Sequence, residues 1–150
     1  MIKKIFLLLL VVGLSNCDYK PIYQQENDLN LLVKEVQSDG DKKINRRIIK
    51  FLKLENNKNK DSKYTLKLNS KKLLEIVSKD KLGNASIYKT TIIVNVLLED
   101  EDKAVKKKTL SSNFVYNTID NKFDLLQYQR NVEKTLIDKL IEDILIFLNS

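Results

Sequence analysis

Ile87-Tyr88-Lys89-Thr90-Thr91-Ile92-Ile93-Val94-Asn95-Val96-Leu97-Leu98 alternates in steps of two, and that period decides the fold. Tyr88, Ile92, Val94, Val96 and Leu98 fall on one face of an extended strand, and Ile87, Lys89, Ile93, Asn95 and Leu97 on the other. Just before it, Asp80-Lys81-Leu82-Gly83-Asn84 has the composition of a hairpin turn, because Gly and Asn accept the positive φ of tight turns. Upstream of that turn, Tyr64, Leu66 and Leu68 share one strand face, which Leu74 and Ile76 resume. The polar stretch Ser70-Lys71-Lys72 between them predicts either a bulge or a strand break. Downstream, Glu99-Asp100-Glu101-Asp102 is an acidic turn, and Val105 to Tyr116 returns as a fourth strand with Leu110, Phe114 and Tyr116 in phase. The four carboxylates read as a solvated hairpin end, since no glycine-bearing calcium loop surrounds them.

The flanks change period. Leu31 to Val36 is a short first strand, and Ser38-Asp39-Gly40-Asp41 breaks it while offering side chains that cap a helix. Ile44, Ile48, Phe51 and Leu52 then lie on one helical face, with Lys42, Lys43, Arg46, Lys50 and Lys53 opposite. The polar run Glu55 to Ser62 ends this helix. A long helix from about Leu125 to Leu148 closes the chain, with Asp124 as N-cap and Gln127 completing a capping box. Its stripe is Val132, Leu136, Leu140, Ile144 and Phe147, widened by Ile137, Ile141, Leu145 and Leu148; Arg130, Lys134, Asp138 and Glu142 take the wet side. The order strand-helix-strand-strand-strand-helix predicts a single α+β domain over residues 31–150, a mixed four-stranded sheet with both helices on one face. Ile87, Ile93 and Leu97 would then leave an apolar sheet face for a protein partner, unless local residues cover it.

The first residues address the chain to a membrane. Lys3 and Lys4 precede an apolar run from Ile5 to Leu14, and Leu14-Ser15-Asn16-Cys17 has the form of a lipobox, so residues 1–16 read as a signal peptide and Cys17 as the lipidated residue. The run is about half the ~20 residues that a membrane-spanning helix needs. Residues 17–30 read as a tether, with Pro21 preventing a regular helix. Acylation consumes the single cysteine, and the chain has no histidine and no tryptophan. Zinc sites, Ser-His-Asp triads and Cys-His pairs are thereby excluded, no metal or cofactor is expected beyond the covalent lipid, and an enzyme is not. The net charge of +7 is concentrated: Lys42 to Lys81 holds fourteen Lys or Arg against four acids. Export favours phosphate-bearing lipid over nucleic acid as the anion, and a solvated lysine-rich surface is equally consistent.

Several segments together resemble the LptE family, lipoproteins of the lipopolysaccharide transport machinery. Cys17-Asp18-Tyr19-Lys20-Pro21-Ile22-Tyr23 is similar to the family's Cys-Gly-Phe-x-Pro-Leu-Tyr start. A basic helix follows the first strand, Gly83 and Tyr88 match the family's turn glycine and the tyrosine that opens the central strand, and Phe114-Val115-Tyr116-Asn117 leads to Gln127-Tyr128-Gln129-Arg130-Asn131. The resemblance implies an outer-membrane lipoprotein on the periplasmic side that plugs and helps assemble an LptD-type β-barrel and contacts lipopolysaccharide. It carries the family's hairpin-tip cation onto Lys81, assisted by Lys79. A second family position falls at Ser111, with Lys106, Lys107 and Lys108 close in sequence. The alternative is an accessory lipoprotein that binds a membrane-protein partner without touching glycolipid. Asp18 favours it, because an acid after the lipidated cysteine retains some lipoproteins in the inner membrane.

Overall fold

The computed structural model describes residues 33–53 and 63–150. Its elements are β1 (Val33–Gly40), α1 (Lys42–Phe51), β2 (Tyr64–Lys79), β3 (Ala85–Asp100), β4 (Lys103–Asn117) and α2 (Lys122–Asn149). The four strands form one sheet in the order β1-β2-β3-β4. β1 pairs parallel to β2, and the two following pairs are antiparallel. The fold is therefore the expected mixed α+β sheet, reached by one helical crossover and a meander. The tether, the lipobox, Leu31, Leu32 and the polar run from Glu55 lie outside the described residues.

The residues facing the helices carry even numbers in the three long strands. Leu66, Leu68, Ile92, Val94, Val96, Leu98 and Leu110 are buried there, together with Ile44, Ile48 and Leu52 of α1 and Val132, Leu136, Ile137, Leu140, Ile141, Ile144 and Leu148 of α2. α1 packs on β1 and β2, α2 on β3 and β4, and the two helices touch. Both helices thus lie on one face, because from Ile92 to Leu98 only the even phase of the central strand is apolar without interruption.

Four local readings need correction. β1 continues through Ser38-Asp39-Gly40, which pair with Leu68, Asn69 and Ser70; the parallel ladder outweighs the poor strand propensity of that segment. Gly40 ends it at φ +87, where an added Cβ would sit 2.1 Å from the Ser70 carbonyl oxygen. Asp41 then caps α1 as expected, its carboxylate accepting from the amides of Lys43 at 2.9 Å and Ile44 at 3.2 Å. Ser70-Lys71-Lys72 is neither bulge nor break: the pairing with Val94, Ile93 and Ile92 is continuous, and the irregularity lies further on, between Ile76 and Lys79. α2 begins three residues early, capped by Asn121 through the Phe123 amide rather than by Asp124, which sits in the first turn where a carboxylate favours the helix dipole.

Candidate functional site

The β2–β3 hairpin extends beyond the start of α1, whereas α2 begins near the same end, its Tyr128 meeting Tyr116. α1 starts level with Ser70, since the amide of Asp41 donates to the Ser70 carbonyl, so α1 does not cover the rest of β2, where Lys72 is met instead by Glu133 of α2. At the apex, Asp80 builds the turn. Its carboxylate accepts from the amides of Leu82 and Asn84, both at 2.8 Å, and from the Asn84 side chain at 3.2 Å. Those hydrogen bonds, from Asn84 first, hold the Asp80 carboxyl below its ordinary value. The carboxylate is spent on the turn, and Lys79 and Lys81 flank it as exposed cations beside Leu82, which is 87% exposed.

Beneath the apex, on the helix side, lies an apolar band whose residues the sequence reading placed in phase with the rest of their strand faces. Leu74 and Ile76 are in phase with Leu66 and Leu68, yet each is 52% exposed. Register carries the band across the sheet: Ile76 pairs with Tyr88, which pairs with Tyr116, and Leu74 with Thr90, which pairs with Phe114. Tyr116 stacks on Tyr88 at 5.8 Å and on Phe114 at 6.4 Å, and meets Tyr128 of α2 edge-on at 5.5 Å. The buried Tyr116 hydroxyl is satisfied by Thr90 at 3.1 Å. Phe114 and Tyr128 also line a cleft of about 210 Å³ with Val132 and Leu136. Phe123 and Leu126, at the start of α2, are exposed as well.

The lysines expected to act together do not meet. Lys106 and Lys108 lie on the helix side at the other end of the sheet. Lys106 donates to the Leu148 carbonyl at 3.3 Å, and Lys108 sits 5.5 Å from the centre of the Phe147 ring, so both close the C-terminal end of α2. Lys107 pairs with Leu97 on the opposite face. The pairing places Lys79 against Ala85 and Lys107 against Leu97. Twelve residues of β3 separate those positions, about 40 Å at roughly 3.3 Å per residue. A single site formed by Lys79, Lys81 and Lys106 to Lys108 is not what the fold presents. Ser111, opposite Ile93, stands between the two groups.

The face away from the helices bears Ile87, Ile93 and Leu97, each half-buried, with no described element above them. It is mixed rather than purely apolar. Ile93 lies between Lys71 and Ser111, and Leu97 between Lys67 and Lys107. A shallow concavity of about 300 Å³ there is lined by Leu97, Lys67, Asn69, Asn95 and Lys107. At the same end the acidic turn is already engaged: Lys63 reaches Asp100 and Lys67 reaches Glu99. These contacts, led by the side-chain hydrogen bonds, raise both ammonium groups above their ordinary value. No group of three or more acidic or sulfur ligands is placed to hold a metal among the described residues, and no described helix is long and apolar enough to cross a membrane.

The sequence reading also missed Glu133. Its side chain is 7% exposed and receives Lys43 of α1 at 2.7 Å and Lys72 of β2 at 2.8 Å, tying three elements together. Burial alone would push its carboxyl up, but the two ammonium groups outweigh that and hold it below its ordinary value. The available signal was an acid inside an apolar stripe, between Val132 and Leu136.

No protein-family model matches the chain. No curated protein matches it in sequence. Its fold, by contrast, has solved counterparts. Rare lipoprotein B from Shewanella oneidensis superposes with a TM-score of 0.57 at 16% identity, over 74% of this chain and 90% of that one. Lipoprotein B from Nitrosomonas europaea gives 0.59 at 13% identity, over 77% and 81%. A minor lipoprotein from Acinetobacter baumannii gives 0.58 at 15% identity, over 79% and 93%. At such identities the likeness is one of fold, and the fold of this chain is that of these bacterial lipoproteins.

Proposed function

We propose that this chain is an exported lipoprotein, anchored through Cys17, which seats in an LptD-type outer-membrane barrel and contacts lipopolysaccharide with its β2–β3 hairpin. One observation carries the reading. The hairpin sets exposed cations, Lys79 and Lys81, directly beyond an uncovered apolar band of Leu74, Ile76 and Phe114. An amphiphile with phosphate groups next to hydrocarbon chains has the complementary pattern: ammonium groups meet phosphate as point charges, and the band offers apolar contact. The lipobox and the LptE-like segments, together with a fold shared with bacterial lipoproteins, support the same reading. Ile87, Ile93 and Leu97, flanked by polar neighbours, suit a protein wall better than a lipid one. Of Lys106, Lys107 and Lys108, Lys107 alone lies on that face, and Lys106 and Lys108 have structural work instead.

The test is binding of delipidated protein to purified lipopolysaccharide across an ionic-strength series. Exposed cations act weakly one at a time, below about 1 kcal/mol each, so Lys81→Ala reduces affinity less than about fivefold. Lys79→Glu with Lys81→Glu reduces it much further, and the wild type binds more tightly at low salt. Equal binding by the double reversal and the wild type refutes the hairpin as the contact. The accessory reading, favoured by Asp18, predicts instead a membrane-protein partner in pull-downs and no lipopolysaccharide binding by either form.

A further inference from the structure

The ten residues of α1, Lys-Lys-Ile-Asn-Arg-Arg-Ile-Ile-Lys-Phe, contain no carboxylate. Lys42 and Lys43 occupy the first turn, where the helix dipole disfavours cations. Lys42, Arg46 and Lys50 follow one another at i, i+4 and i+8, a spacing that brings like charges side by side and destabilises a helix. Two other cations of the helix are engaged: Lys43 with Glu133, and Arg47 with Asp138 through hydrogen bonds of 2.7, 2.9 and 3.0 Å. Lys42, Arg46 and Lys50 are exposed and have no ion pair among the described residues. A local arrangement that opposes its own helix is a mark of a site kept for something outside the fold. Ile44, Ile48 and Leu52 are buried against the sheet, and Phe51, 38% exposed, is the one large apolar side chain that α1 leaves at the surface, so the helix offers chiefly its charge.

The position of the helix selects the anion. β1 and β2 are parallel, so the connection must run back, and α1 carries its C-terminal end toward the end of the sheet where the chain enters at Val33. Sixteen residues, 17–32, separate that entry from the membrane anchor. Fully extended they reach about 50 Å, and in relaxed form far less. The C-terminal end of α1, with Lys50, therefore lies toward the end of the sheet that faces the anchor. The acidic β3–β4 turn lies there too, but its Glu99 and Asp100 are engaged by Lys67 and Lys63, whereas the three cations of α1 are free of ion pairs among the described residues. We infer that the Lys42-Arg46-Lys50 face of α1 docks on the anionic phospholipid headgroups of the membrane that holds the protein, fixing the orientation of the domain while the hairpin at the opposite end of the sheet stays free. The argument rests on lipid anchoring through Cys17 but not on lipopolysaccharide binding.

The experiment uses the mature chain with Cys17→Ser, so that no acyl chain dominates, and vesicles of phosphatidylcholine with or without phosphatidylglycerol. Each basic residue at an anionic surface contributes about fivefold in partition, so three give on the order of a hundredfold. Co-sedimentation is expected with the phosphatidylglycerol vesicles at low salt only, and K42Q/R46Q/K50Q is expected to lose it by that factor while keeping the wild-type circular dichroism and a melting temperature no lower than that of the wild type. The same loss from Lys79→Glu with Lys81→Glu would overturn the assignment by moving the contact to the hairpin. So would equal partition of the triple variant, or equal binding to pure phosphatidylcholine. Intact mass of the membrane-extracted wild type tests the anchor separately: an unmodified residue 17 would remove the anchoring premise whatever the vesicles show.

Discussion

Glu133 gives the sharpest test of how this fold is held together, because the three members of its ion cluster differ so much in exposure. The carboxylate side chain is 7% exposed, against 68% for Lys43 and 40% for Lys72. Replacing Glu133 by Gln removes two charge-assisted hydrogen bonds, nominally about 1.5–3 kcal/mol each. Both ammonium groups then turn to water, which returns much of that energy, so the net cost is about 1–3 kcal/mol. Removing the lysines instead, as Lys43→Met with Lys72→Met, strands a buried carboxylate and costs about 3–5 kcal/mol at pH 7. The asymmetry follows from burial alone; a count of lost contacts would make the two variants equal.

The pH dependence separates them further. In the wild type the Glu133 carboxyl is depressed from the ordinary 4.5, so its stabilisation is fully present above that value and is lost as pH falls through the lower folded value. The gap between wild type and Glu133→Gln should close only below about pH 4.5. In the double Met variant burial acts without the ammonium groups, so the folded carboxyl is raised. Its penalty shrinks as pH falls through that raised value and is gone by the ordinary one. Urea titrations of the three proteins between pH 3 and 8 measure this directly. Equal losses at pH 7, or pH profiles that overlay, would refute the claim that a buried carboxylate clamps α1, α2 and β2.

Two further substitutions probe the frame. Gly83→Ala at the hairpin apex, at φ +85 with open space around it, should cost about 1–2 kcal/mol, the price of the left-handed conformation. Gly40→Ala should cost well beyond that, because its Cβ would meet the Ser70 carbonyl, and thermal melts of equal midpoint would contradict the packing of β1 on β2. On the central strand, Ile92→Asp should prevent folding while Ile93→Asp lowers stability by less than about 2 kcal/mol and, under the proposed function, weakens association with a barrel, since Ile92 is fully buried and Ile93 faces the uncovered side. Loss of folding by both would mean that the open face is part of the core.

The element order was readable because period is a local property. The alternation at Tyr88 to Leu98 and the helical stripe from Val132 to Leu148 each lie within a single stretch of chain, and each predicted its element. What was not readable depends on partners far off in sequence. Ser70 looked like an interruption, yet it is buried because its hydroxyl donates to the Asp41 carbonyl at 3.2 Å and its own carbonyl accepts the Asp41 amide. Lys72 looked like a break and is held by Glu133; Asp138 looked wet and is gripped by Arg47, ninety-one residues away. The same limit bears on the candidate site. Phase assigned Leu74, Ile76 and Phe114 to the helix side of the sheet, correctly, but phase is silent on whether a helix reaches that far. α1 is ten residues long, about 15 Å at 1.5 Å per residue, and runs back from Ser70 instead of onward along β2. Leu74 and Ile76 are exposed for that reason, while Phe114, on the edge strand, lies beside α2. A longer β1, carrying the start of α1 toward the apex, would have covered Leu74 and Ile76 and left the hairpin cations with little hydrocarbon surface on β2 beside them.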